Sequence, residues 1–188
     1  MGLNTSSDGK GKGPSEEIPV HSTPFLHTIN KRLSDAHYDL GKKVLKEKGE
    51  PNAAAEYFKN AIALNHSHHL AHYNLGYIYR VYYEKENLPE SLKYFEKASK
   101  LNDQHVDTWT NLGLVYGDMK NLEASLRAYL KAVAIDPRCE MAYYNLGNIC
   151  QYADMVDEAI KYYSKVVELN PNHADAFHAI AAVEGRRR

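Results

Sequence analysis

Three asparagines occupy equivalent places in a repeated motif, and their chemistry suits recognition of a peptide backbone. Asn74, Asn111 and Asn145 each stand directly before a Leu-Gly pair. A carboxamide has two N–H donors and one carbonyl acceptor, so it can pair with both the N–H and the C=O of an extended peptide. Three such amides on one surface would bind a peptide through its main chain, whatever its sequence.

The helices that carry these asparagines must present them to solvent. The leucine after each asparagine is predicted to be buried, and one residue step on an α-helix is a rotation of about 100°. Each amide should therefore lie beside the core, largely free of internal partners and flanked by residues about one helical turn away. The predicted peptide-binding surface contains Tyr73, Asn74, Tyr77, Asp107, Asn111, Leu114, Asp118, Tyr144, Asn145, Asn148 and Tyr152.

The flanking residues indicate what such a surface would select. Tyrosines offer flat apolar area with a polar tip, a composition typical of recognition sites. Asp107 and Asp118 would favour a ligand with basic residues nearby. The same pattern also allows a purely structural role, in which each asparagine only hydrogen-bonds its own neighbours.

Ten histidines raise the question of a metal site. The densest group is His66, His68, His69 and His72, of which the second and fourth would share a helix face. The group straddles a predicted turn, where polar side chains are common, and no cysteine joins it, so we predict no metal site. A Gly-rich phosphate loop and a plausible catalytic triad are also lacking, and the sequence predicts neither an enzyme nor a cofactor.

The motif around Asn111 occurs again around Asn145, 34 residues later. The first copy reads Trp109-x-x-Leu112-Gly113-x-x-Tyr116, then Ser125-x-x-x-Tyr129, Ala132 and Asp136-Pro137. The second reads Tyr143-x-x-Leu146-Gly147-x-x-Cys150, then Ala159-x-x-x-Tyr163, Val166 and Asn170-Pro171. A fixed period of this length is typical of a solenoid built from helix–turn–helix units.

These residues resemble the tetratricopeptide repeat (TPR) family. The resemblance implies an all-α solenoid whose concave side is lined by the first helix of each pair. The same asparagine recurs in the peptide-binding grooves of several TPR proteins, including the superhelix of the O-linked N-acetylglucosamine transferase, which this chain resembles locally. A TPR class that clamps the acidic C-termini of chaperones is not matched. Of its positions, Tyr38, Lys42, Asn74, Asp107 and Asn111 in this chain, only Asn74 fits, and Asp107 would repel a carboxylate.

The markers divide the chain into four helix pairs with an N-terminal capping segment and an unpaired C-terminal helix. We expect a disordered tail over 1–22 and a capping helix or extension over 23–33, which either continues into the next helix or stops at Ser34-Asp35. The repeats are then 34–68, degenerate; 69–105, with three extra residues; 106–139; and 140–173. Residues 174–188 form a partial fifth repeat or a cap with a basic end. The extra residues predict a first helix from His69 to about Glu84 that projects Tyr82 and Tyr83 beyond the stack.

Composition limits the classes of partner. Lys and Arg total 23 against 24 acidic residues. The net charge of −1 therefore lacks the excess of positive charge that is typical of nucleic-acid-binding proteins. No apolar run could span a membrane or act as a signal peptide, so we expect an intracellular, cytoplasmic protein with reduced cysteines. The start of the chain fits the N-myristoylation pattern at Gly2, a loose pattern that also occurs by chance. Membrane association is expected only if Gly2 carries the lipid, and one acyl chain binds marginally.

Two functions remain open at this stage. The first is a non-catalytic adaptor that holds an extended peptide of a partner protein in its concave groove. The second is a structural or self-associating fragment of a longer repeat array, whose ends make the contacts. The second hypothesis includes a homodimer formed through the last helix. It is based on the apolar residues around that helix: Ala176, Phe177, Ala179, Ile180, Ala182 and Val183.

Overall fold

Nine α-helices form the described part of the chain, which in this computed structural model is residues 24–83 and 87–186. The helices are α1 (Pro24–Lys48), α2 (Pro51–Leu64), α3 (His69–Val81), α4 (Leu88–Leu101), α5 (Val106–Asp118), α6 (Leu122–Ile135), α7 (Glu140–Tyr152), α8 (Val156–Leu169) and α9 (Ala174–Gly185). These residues contain no strand, and none of these helices is both long and apolar enough to cross a membrane. The expected tail over 1–22, with Gly2, and the last two arginines lie outside the described residues.

The helices pack in the order of the chain. Helices α1 and α2, α3 and α4, α5 and α6, and α7 and α8 form the four pairs, and α9 packs on α8. The predicted all-α arrangement of four pairs with an unpaired last helix is therefore confirmed. Each pair is built around the same contact, in which a glycine of the first helix meets a buried aromatic ring of the second. The contacts are Gly41 with Phe58, Gly76 with Phe95, Gly113 with Tyr129 and Gly147 with Tyr163.

Serine hydroxyls tie the two helices of a pair together. Ser91 Oγ donates to the carbonyl of Gly76 at 2.8 Å, and Ser125 Oγ donates to that of Gly113 at 2.7 Å. Both hydroxyls are buried, so these bonds satisfy groups that would otherwise cost free energy. In the second and third pairs, the serine hydrogen bond thus supports the close approach that the glycine allows.

The first helix is continuous, which decides between the two expectations for its N-terminal part. Helix α1 runs unbroken through Ser34 and Asp35. Ser34 does not cap a new helix, because its buried Oγ donates to the carbonyl of Ala61 at 2.7 Å. The segment 24–33 and the first helix of the first repeat are therefore one element of 25 residues.

The prediction of a long α3 is wrong. This helix ends at Val81 and has 13 residues, as do α5 and α7. Tyr83 lies after the helix, packs its ring 5.1 Å from that of Tyr79, and donates its hydroxyl to Asn52 Oδ1 at 2.6 Å. The extra residues therefore fall in the connection to α4, where 84–86 lie outside the described residues.

Candidate functional site

One face of the molecule carries all three asparagines. The first helices α3 and α5 approach each other directly, in addition to contacting the second helices between them. Side chains also bridge successive first helices, since Asn74 of α3 meets Tyr38 of α1, and Asn111 of α5 meets Tyr73 of α3. We refer to the side of α1, α3, α5 and α7 that carries these asparagines as the groove face.

The amides on the groove face are not free of internal partners, so that expectation is wrong. The Nδ2 atoms of Asn74, Asn111 and Asn145 each donate to the carbonyl four residues earlier, at 2.9, 2.9 and 2.8 Å. An asparagine within a helix can reach this carbonyl, which is exposed along the edge of the helix. One N–H of each amide is therefore used, while its second N–H and its Oδ1 acceptor remain for other partners.

The three amides differ in what becomes of the second N–H. In Asn74 and Asn111 it points to the hydroxyl of a tyrosine on the preceding first helix, at long distances of 3.5 and 3.4 Å. Burial is the main cause that raises the pKa of Tyr73 to about 12, and the charge of Asp107 adds to it. For Asn145 the equivalent residue is Thr110, and the described part of the chain gives its second N–H no partner. Asn145 therefore retains the largest unused hydrogen-bonding capacity.

Histidines of the turns support the tyrosines of the groove face. Tyr38 packs against His68 at 4.8 Å between ring centroids, Tyr73 against His105 at 5.0 Å, and Tyr144 against His173 at 5.2 Å. In the third repeat the pair is Thr110 and Cys139, whose Oγ1 and Sγ lie 3.7 Å apart. Sequence reasoning missed these pairs. The signal was present, because each histidine directly precedes the first helix of a repeat.

A pocket between α5 and α7 brings five of the predicted residues together. Its volume is about 430 Å³, and Leu114, Asp118, Asn145, Asn148 and Tyr152 line it. Tyr152 is 79% exposed and so presents a large apolar surface beside the amide of Asn145. The sequence did not predict the remaining lining residues, which come mainly from the turn after α5 and from α6: Gly117, Lys120, Leu122, Ser125, Tyr129 and Ile149.

Two polar residues of this pocket already have partners within the protein. Asp118 Oδ2 lies 3.8 Å from Nε of Arg80, a buried atom with no hydrogen-bond acceptor among the described residues. Asn148 Oδ1 accepts the hydroxyl of the buried Tyr163 at 2.7 Å. Asp107, in contrast, is exposed at the start of α5 and has no ion pair among the described residues.

Tyr77 belongs to a different part of the groove face. Together with Tyr82 it lines a recess of about 660 Å³ between α1 and the end of α3. The remaining lining residues are Asp39, Lys42, Lys43, Leu45, Lys46 and Glu47. Tyr73 and Tyr144 line neither cavity and form the wall between repeats. Of the predicted residues, five line the pocket at the α5–α7 end and Tyr77 lines the recess at the α1 end, while the other five line neither cavity.

The histidine group at the turn before α3 makes backbone contacts. His68 Nδ1 accepts the N–H of Ala71 at 3.2 Å, and its Nε2 lies 3.4 Å from Asp35 Oδ1. His72 Nε2 lies 3.1 Å from the carbonyl of His66, so this nitrogen must carry the proton. Within residues 24–83 and 87–186, no three His, Cys, Asp or Glu side chains are grouped so that they could hold a metal ion.

Comparison with protein families identifies the repeat. One family model described as "Tetratricopeptide repeat" matches residues 106–139 and 141–173, and a second model with that description matches residues 43–104. The chain belongs to the tetratricopeptide repeat family. The matched ranges contain Asn74, Asn111 and Asn145, so the groove face is made of TPR helices. No match is found among curated proteins.

Solved structures of other TPR proteins share this fold. MamA is 28% identical, with a TM-score of 0.67, over 80% of this chain and 87% of MamA. YrrB is 26% identical, with a TM-score of 0.70, over 88% of this chain and 84% of YrrB, and is described as a TPR protein with an unusual peptide-binding site. PilF of Pseudomonas aeruginosa is 20% identical, with a TM-score of 0.73, over 85% of this chain and 71% of PilF, and supports the fold alone.

Proposed function

We propose that this TPR protein is a non-catalytic adaptor that binds an extended peptide segment of a partner protein across its groove face. The observation that carries the proposal is the pocket between α5 and α7. There the unused N–H and Oδ1 of Asn145 lie beside the apolar surfaces of Leu114 and Tyr152. This combination suits a peptide that pairs its main chain with the amide and places one side chain in the pocket.

One comparison supports this mode of binding. YrrB, 26% identical to this chain, is described as having a peptide-binding site. The position of the three asparagines before each Leu-Gly pair is a further, sequence-based argument, since the resemblance to the TPR family implies that this asparagine recurs in peptide-binding grooves. Asn74 and Asn111 would contribute less than Asn145, because a bound peptide must compete with their tyrosine contacts.

The groove can be tested with peptides selected from a random library displayed on phage. We expect the selected peptides to lose affinity for the variant Asn74→Ala/Asn111→Ala/Asn145→Ala, because each lost neutral hydrogen bond contributes about 0.5–1.5 kcal/mol. The sum of roughly 2–4 kcal/mol corresponds to a dissociation constant on the order of 30- to 1,000-fold weaker. Isothermal titration calorimetry measures the change.

Asn60→Ala on α2 is the matched control, since Asn60 is exposed and lies on a second helix. It should leave the affinity unchanged. Asn145→Ala alone should cost more affinity than either of the other single substitutions. Equal affinity of the triple variant and the parent would refute peptide binding by the groove face, provided that both have the same circular dichroism spectrum.

Self-association through α9 is the second candidate, and the exposed apolar residues of that helix favour it. Phe177 is 48% exposed, and Ala181 and Ala182 beside it are exposed as well. Multi-angle light scattering distinguishes the two functions. A dimer that becomes monomeric with Phe177→Glu would support self-association, and a monomeric parent protein would exclude it.

A further inference from the structure

The recess at the α1 end of the groove face is lined by lysines that have no ion-pair partner among the described residues. Lys42, Lys43 and Lys46 line it, and all three are exposed. No carboxylate of the described residues lies within ion-pair distance of their ammonium groups. Other lysines of the chain are paired at short distance, as Lys59 is with Glu56 at 2.7 Å and Lys165 with Glu168 at 2.6 Å.

Aromatic rings give this recess an apolar wall. The ammonium of Lys42 lies 5.2 Å from the centre of the Tyr38 ring, where a cation is attracted to the face of the ring. Tyr77 and Tyr82 complete the wall with ring centroids 6.4 Å apart, in an edge-to-face arrangement. Charges beside aromatic surface are less hydrated than charges on an open helix, so an ion pair formed there is screened less.

The charge along the groove face is asymmetric. Helix α1 supplies the three lysines against two carboxylates, Asp39 and Glu47, that line the same recess. Helices α5 and α7 contain no lysine or arginine at all, and their charged residues are Asp107, Asp118 and Glu140. The groove is therefore cationic at the α1 end and anionic at its centre.

We propose that the lysine-lined recess binds an acidic segment of the peptide ligand. This inference rests on the adaptor function proposed above and specifies its ligand. The carboxylates of the segment pair with Lys42, Lys43 and Lys46, while its aliphatic carbons contact Tyr77 and Tyr82. A ligand of mixed charge then binds in one direction only, with its acidic part at α1 and its basic or neutral part near Asp107.

The test uses two synthetic peptides that differ only in charge, one alternating alanine with glutamate and the other alanine with glutamine. Binding is followed by the shifts of backbone amide signals in nuclear magnetic resonance spectra. We expect the glutamate peptide to bind more tightly and to shift the signals of Lys42, Lys46 and Tyr77. Three exposed ion pairs should make the dissociation constant of the glutamate peptide roughly 3- to 100-fold lower than that of the glutamine peptide. The variant Lys42→Gln/Lys43→Gln/Lys46→Gln should abolish this difference.

Lys93→Gln/Lys97→Gln/Lys100→Gln is the matched control, because these three exposed lysines lie together on α4. It should retain the full preference for the glutamate peptide, and high salt should reduce the preference in the parent. If the preference survives in the α1 variant or disappears in the α4 variant, the recess is not the acidic subsite.

The two proposals fail in different ways. Equal binding of both peptides on the groove face, with loss of both in the triple asparagine variant, would overturn the recess and leave the adaptor function standing. Shifts confined to residues outside the groove face would overturn both proposals. Each outcome is read directly from which signals move.

Discussion

Turn histidines connect the stability of the repeats to the shape of the groove face. His173 accepts the N–H of Ala176 with Nδ1 at 3.2 Å, so it caps α9, while its ring stacks on Tyr144. His68 makes the same pair of contacts with Ala71 and Tyr38. A capping side chain contributes about 0.5–2 kcal/mol to stability. The residues that fix the start of a first helix therefore also fix the position of a groove tyrosine.

His72 should make the stability of the protein depend on pH. Burial lowers the pKa of this histidine, and the charges of Lys97, His68 and His66 lower it further, against an opposing hydrogen bond to the carbonyl of His66. In the unfolded chain the ring takes up a proton near a pKa of about 6.5. The unfolded state therefore binds more protons below this pH, and stability falls as the pH falls.

The substitution His72→Gln removes this titration while it retains a side-chain N–H that can donate to His66. We expect the melting temperature of the parent to fall between about pH 7 and about pH 5, and that of the variant to fall less. Differential scanning calorimetry at both pH values gives the comparison. Equal falls for the two proteins would show that other groups, such as His69 with its similarly lowered pKa, control the acid sensitivity.

At the scale of elements, the contact between glycine and aromatic ring should determine how well a pair of helices packs. A Cβ at Gly113 would lie 2.6 Å from Cε1 of the buried Tyr129, well inside contact distance. Gly113→Ala should therefore destabilise the protein by about 1–3 kcal/mol through overpacking, despite the better helix propensity of alanine. Urea unfolding measures the difference.

Gly117 is the matched control on the same helix. A Cβ there would meet Ser125 Oγ at 3.5 Å, an ordinary contact. Gly117→Ala should be neutral or should stabilise the protein by up to about 1 kcal/mol. A Gly113→Ala variant as stable as Gly117→Ala would mean that the helices can separate without loss, and the proposed packing rule would be refuted.

How far the sequence predicts these elements depends on whether a feature repeats. The recurring Leu-Gly and aromatic positions predicted the helix pairs, because every pair buries the same contact. The end of α3 was predicted wrongly because the three extra residues were assigned to the helix, whereas α3 ends at the same position of the repeat as α5 and α7. The internal bonds of the three amides were foreseen only as an alternative, because the sequence does not show whether an asparagine side chain turns back to its own helix or towards solvent.

At the scale of the whole molecule, the packing is one-dimensional. Substantial contacts join helices that are consecutive in the chain, and the direct contact of α3 with α5 spans only one repeat. In such an array, stability is the sum of the stability of each repeat and the interfaces with its neighbours. The groove face therefore requires several neighbouring repeats to be folded. A substitution that destabilises one end of the array should affect mainly the adjacent repeats.

This arrangement predicts where a destabilising substitution is felt. A Cβ at Gly147 would lie 2.5 Å from Cε1 of Tyr163, so Gly147→Ala should weaken the pair of α7 and α8. We expect amide hydrogen exchange to accelerate in α7, α8 and α9 while α1 to α4 retain their protection, because sub-global opening follows contiguous units. Gly113→Ala, in the pair of α5 and α6, should accelerate hydrogen exchange in the helix pairs on both sides of it. Uniform acceleration in every helix with Gly147→Ala would contradict the one-dimensional account and would indicate that the array unfolds as a single unit.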